Sequence, residues 1–137
     1  MPVQNIRFIL SVNWTGLKNF DNTPYKWGDR KGMNVDSNWE KANVIYRWVK
    51  NSTGEIAEIG ETRRRLTDRT NNYISAKPKS SAGATNKKVY DEQQKLLTKG
   101  DFLYLELTDF VLGYNLNDDR ERKFAESLLI GYTKPYL

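Results

Sequence analysis

Residues 5–12 set Ile6, Phe8, Leu10 and Val12 on one side at a period of two, the spacing of a β-strand with one buried face. The stretch 13–35 is rich in Gly, Asn and Asp, contains Pro24, and carries Trp14, Phe20, Tyr25 and Trp27, so it reads as irregular chain held by aromatic anchors. Trp39 belongs to a short turn or helix opened by Asp36 or Ser37. Two β-rich runs, 43–49 and 55–60, flank Lys50, Asn51, Ser52, Thr53 and Gly54, a segment with the length and chemistry of a hairpin loop. Thr62 is suited to cap a helix over about 63–73, in which Leu66, Thr70 and Tyr73 share a face. Residues 75–85 have linker composition and predict a mobile surface loop. A second helix is expected over about 86–98, burying Val89, Leu96 and Leu97 and stopping at Gly100. Residues 102–108 form a further strand with Leu103, Leu105 and Leu107 on one side. The last helix, over roughly 119–130, is capped by Asn117 or Asp118, buries Phe124, Leu128 and Leu129, and ends before Pro135.

The order strand, hairpin, helix, helix, strand, helix, with no internal repeat, predicts an α/β chain of the α+β kind: a small antiparallel sheet of three or four strands flanked by helices. At 137 residues the chain suits one core. Its mean hydropathy is low at −0.76, but four Trp and eight Tyr give it the material to build that core. The longest apolar runs fall far short of the ~20 residues of a membrane span, and an intracellular, cytoplasmic protein is the expectation.

Composition narrows the chemistry. With no histidine and no cysteine, imidazole bases, serine–histidine triads, thiolate nucleophiles and His- or Cys-bound metals are all excluded. Tyr, Lys, Arg, Asp, Glu, Ser and Thr remain. The net charge of +5 is unevenly placed: residues 61–99 hold ten basic and four acidic groups, whereas residues 100–137 hold four basic and seven acidic. A local surplus of this size fits either a solvated helix face with a loop or a surface for a polyanion such as DNA, with Arg63, Arg64, Arg65, Lys77, Lys79, Lys87 and Lys88 as the contacts.

Several residues, in order and spacing, resemble the GIY-YIG nuclease family. Val44-Ile45-Tyr46 and Glu58-Ile59-Gly60 stand where its two tripeptides lie on a hairpin, with 11 residues between them. The helix after the hairpin carries an essential Arg in that family, matched by Arg69 followed by Tyr73 with one residue inserted, or alternatively by Arg65. Glu126, with Pro135 nine positions later, matches the family's metal-binding Glu and its Pro. Val44 replaces the first Gly and Glu58 replaces the second Tyr. The resemblance covers 42–137 and implies a nuclease domain there, with 1–41 as an N-terminal extension. It further implies a DNA endonuclease with one divalent metal, Mg²⁺ or Mn²⁺, held by Glu126.

Phosphodiester hydrolysis needs an activated water, stabilisation of a charge-rich transition state and help for the leaving oxygen. The resemblance implies Tyr46 as general base; since a phenol titrates near pH 10, a cation must favour its phenolate. Arg69 would offer a forked cation to phosphate oxygens. Glu58 stands as a second ligand, a base, or the residue that disables the site. Each has a plainer reading: Tyr46 as a strand residue with a buried ring, Arg69 as a surface arginine, Glu126 as an exposed carboxylate or a partner of Arg122. The second functional reading is a catalytically inactive nucleic-acid-binding module on the same fold; a third is a protein-interaction domain using 1–41. Glu121-Arg122-Lys123 offers the tripeptide of another His-free nuclease class but falls within a helix. Cutting both strands of DNA would require a homodimer or two encounters.

Overall fold

The computed structural model describes residues 2–7, 9–18, 23–24, 37–69 and 84–137. Four antiparallel strands, β1 (Thr15–Gly16), β2 (Val44–Lys50), β3 (Ile56–Thr62) and β4 (Leu103–Thr108), form one sheet in the order β1-β4-β2-β3. Two long helices, α1 (Ala84–Leu97) and α2 (Asp119–Thr133), join a 3₁₀ turn at Ser37–Glu40 and helical residues 66–69. This is the small α+β fold expected from the sequence. No helix among the described residues is long and apolar enough to cross a membrane.

The hairpin forms where β-branched and aromatic residues meet a loop able to reverse. Lys50 N donates to Glu55 O at 2.9 Å, Gly54 N donates to Lys50 O at 2.8 Å, and Gly54 takes the positive φ of 76° that the reversal requires. Central strand β2 is covered on both sides. Val44, Tyr46 and Trp48 pack with Leu103, Leu105 and Leu107 of β4, and with Leu66, Val89 and Leu96, in a first core. Ile45 packs with Ile59, Val111, Leu116, Ala125 and Leu129 in a second core beneath α2. A bulge opposite Trp48 and Val49 leaves Ala57 unpaired, so Ala57 joins the first core while Ile56 packs on the second. Leu17 and Trp39 lie in the first core, and β1 pairs with β4, so parts of the 1–41 segment are built into the same sheet and core.

Four expectations are corrected. The predicted strand over 5–12 does not form among its described residues: Val12 makes one isolated bridge to Val111, and Ile6 and Ile9 are exposed. Its period-two pattern lacks a long neighbouring strand; the sheet edge at β4 takes up only Thr15 and Gly16. Thr62 is the last residue of β3, not a helix cap; its Oγ1 accepts from Arg64 N at 3.1 Å, and helical residues begin only at Leu66, whose N donates to Lys41 O. Arg63, Arg64 and Arg65 therefore occupy a turn rather than the first turn of a helix. On α1, Leu97 is exposed and Gln93 is buried in its stead, because the Gln93 amide accepts from Leu103 N and donates to Leu103 O, tying the helix to β4. On α2, Phe124 is half exposed, and the inward face is Arg122, Ala125 and Leu129.

The remaining boundaries follow their local chemistry. Asp118 caps α2 by accepting from Arg120 N and Glu121 N. The chain reverses after α1 at Gly100, with φ 75°. Phe8, Phe20, Tyr25, Trp27, Thr70, Tyr73, Lys77 and Lys79 lie outside the described residues, as does the predicted loop 75–85 except for its last two residues, which already belong to α1.

Candidate active site

Tyr46 faces the first core from β2, directly opposite Gly60 on β3. Its ring lies across that glycine: a Cβ built at Gly60 would collide with the Tyr46 hydroxyl and ring carbons. Residue 60 must therefore lack a side chain for the phenol to lie over the outer strand. Tyr46 is 1% exposed. The Arg69 guanidinium carbon sits 5.7 Å from the centre of the Tyr46 ring, within reach of a cation–π attraction. Glu58 pairs in register with Trp48 and shares the face of Tyr46; it is buried. The structure thus brings Tyr46, Arg69 and Glu58 to one side of the hairpin.

Glu126 approaches from the other side. It lies on α2 one turn beyond Arg122 and flanks the helix face that covers Ile45 and Ile59. Partial burial, then the nearby Glu61 carboxylate, push its carboxyl up to about 7, against the smaller opposing pull of Lys123 and Arg122. Among the described residues nothing forms a hydrogen bond or ion pair with this carboxylate. Tyr46 and Glu126 therefore reach β3 at adjacent residues, Gly60 and Glu61, but from opposite faces of the sheet. The outer edge of β3 is met by the last residues of the chain only at its start, where Tyr136 N and Leu137 N donate to Ile56 O and Ala57 O.

The group that anchors this corner is Arg122, which the sequence suggested only as a partner for Glu126. Arg122 is 1% exposed and fully engaged: Nε bonds Glu61 at 2.6 Å, Nη2 bonds Asp119 at 2.6 Å, and Nη1 donates to Leu116 O and to Asn43 Oδ1. It pairs with Glu61 and Asp119, not with Glu126. The signal available in the sequence was its four-residue spacing from Glu126, which puts both on one side of a helix. Asn43, with φ 56° at the start of β2, also donates to Asn117 Oδ1, joining the hairpin to the start of α2. An open cleft of about 570 Å³ lies there, lined by Asn43, Arg63, Asn117, Asp118, Asp119 and Arg120.

The basic residues divide into two kinds. Arg65 bridges Glu40 at 2.9 Å and Asp68 at 3.2 Å, and Lys87 lies 3.4 Å from Asp91. Arg63 is well exposed and only 3.9 Å from Asp119, while among the described residues no carboxylate lies within ion-pair distance of Arg64 or Lys88. No group of three or more acidic residues able to hold a metal ion occurs among the described residues, so Glu126 is a one-carboxylate candidate beside an already engaged Glu61. No family model matches the chain, and no curated protein or solved structure matches it significantly.

Proposed function

We propose that this chain is a metal-dependent DNA endonuclease of the GIY-YIG kind, working at the outer strand β3. The observation that carries the reading is Glu126: a partly buried carboxylate beside a second carboxylate, with no ion-pair partner among the described residues and a carboxyl raised to about 7. A divalent cation would relieve that repulsion, and Mg²⁺ is commonly held by one or two carboxylates, with waters and phosphate oxygens completing its shell. When bound, the ion would supply charge stabilisation for the phosphate and a more acidic water. The chain's own groups take the other roles. Tyr46 accepts the proton of the attacking water, and the Arg69 fork, held beside the Tyr46 ring, binds phosphate oxygens. Glu58, on the face of Tyr46, increases the demand for a cation there.

A second reading is a nucleic-acid-binding module without catalysis, favoured by the 1% exposure of Tyr46 and by its separation from Glu126 across the sheet. Incubation of supercoiled DNA with the protein and Mg²⁺ or Mn²⁺ decides between them. The enzyme reading expects nicking or cutting that is lost in Glu126→Ala and Arg69→Ala. Salt-sensitive binding without cleavage supports the module; cleavage at wild-type rate in both variants defeats the site assignment.

A further inference from the structure

α2 carries a second apolar stripe that the core does not use. Phe124, Leu128 and Tyr132 follow at four-residue intervals beside the inward face, and Phe124 and Tyr132 are 50% and 88% exposed. The chain around the stripe widens it. Tyr114 meets Phe124 with ring centres 5.9 Å apart, and the loop after β4 runs beside the N-terminal segment, where Val12 bridges Val111 and Leu112 N donates to Ser11 O. Ile9, Phe110 and Leu112 are exposed in these two segments. A groove of about 680 Å³, walled by Ile9, Leu10, Trp14, Leu128 and Tyr132, runs between the N-terminal segment and α2. Among the described lining residues the one charge, Arg47, is held by Glu106 at 2.7 Å and stacks 4.2 Å from the Trp14 ring.

We propose that this face is the isologous interface of a homodimer, with two copies of α2 packed antiparallel about Leu128. Monomers rarely expose a contiguous apolar patch larger than a few hundred Å². At ~150–250 Å² for a fully exposed aromatic side chain and somewhat less for an aliphatic one, the exposed portions of Ile9, Phe110, Leu112, Phe124 and Tyr132 come to roughly 600 Å². With the partly exposed residues between them, that approaches the ~800 Å² per partner of a standard interface.

The stripe matches itself under a two-fold axis. An aromatic lies four residues either side of Leu128, so antiparallel copies set Phe124 of one against Tyr132 of the other and Leu128 against its equivalent. Charge permits the pairing. The surplus of six sits in residues 61–99, whose helix α1 covers the opposite face of the sheet, whereas residues 100–137 carry a deficit of three. Contact through α2 thus joins the least basic third of two net-positive chains. The inference does not depend on the nuclease reading.

Sedimentation velocity of the full chain, from low-micromolar to submillimolar concentration, tests it. The expected species has twice the 16.0 kDa chain mass. Phe124→Lys and Tyr132→Glu should each weaken the dimer at least tenfold, and Tyr132→Glu, at the more exposed position, should leave the thermal melt of a monomeric sample unchanged. The double variant should restore it, because each lysine then faces a glutamate. A wild-type chain that stays monomeric throughout, or a dimer that persists in both single variants, overturns the proposal. Single variants that dissociate without rescue by the double variant overturn the antiparallel pairing.

Discussion

Glu126 titrates high because two influences act on the same carboxylate: partial removal from water disfavours its charge, and Glu61 repels it. Its folded-state pKa of about 7 lies above its ordinary 4.5, so the folded chain binds more protons than the unfolded chain between these values. Its protonated form is the favourable one in the fold, and that advantage is complete below pH 4.5 and lost as pH rises through 7. Glu126→Gln should therefore be more stable than wild type at pH 8, by on the order of 1 kcal/mol after allowing for solvent screening, with the difference vanishing near pH 4. Urea midpoints across that range check the slope; a gap independent of pH would show that Glu126 is not titrating in this window. Once ionised, the same residue is a cost to folding, which a bound cation would relieve.

The β2–β3 hairpin is the element that holds the candidate chemistry, and it was readable because local sequence and local structure coincide there. Paired β-rich runs flank a loop containing Gly54, and the pairing of Tyr46 with Gly60 follows from the register. Gly60→Ala would drive a methyl into the buried Tyr46 ring and hydroxyl, so a loss of about 1–3 kcal/mol is expected in chemical unfolding. The loss should shrink when Tyr46 is first replaced by Leu; equal losses in both backgrounds would show that the collision is not its source. The helices were less legible. Apolar spacing located α2, but spacing does not reveal that a buried Arg122 is fully bonded and claims the inward side that Phe124 was expected to take. Gln93 follows the same logic on α1: a polar side chain enters the core when its hydrogen bonds are met there.

Across the whole molecule, the basic surplus becomes uneven once ion pairs form. Arg65 and Lys87 already have carboxylates beside them, whereas Arg63, Arg64 and Lys88 are more available to a polyanion. If DNA is the partner, Arg64→Ala should reduce the slope of log affinity against log salt by about 0.9 per lost phosphate contact, and Arg65→Ala by less. Fluorescence-anisotropy titrations at several salt concentrations read this directly; equal slopes for both variants would remove the distinction. By itself the sequence determined the α+β class, the hairpin, strand β4, the existence of α1 and α2, and the exclusion of imidazole and thiol chemistry. Each of these depends on residue type or on short-range periodicity. Only the tertiary structure decided that the 5–12 pattern remains outside the sheet, that Arg122 joins Glu61 and Asp119, and that Tyr46 and Glu126 meet β3 from opposite faces. Those outcomes depend on which segment finds a partner across space, and on burial that makes an unmatched charge costly and a matched one tolerable.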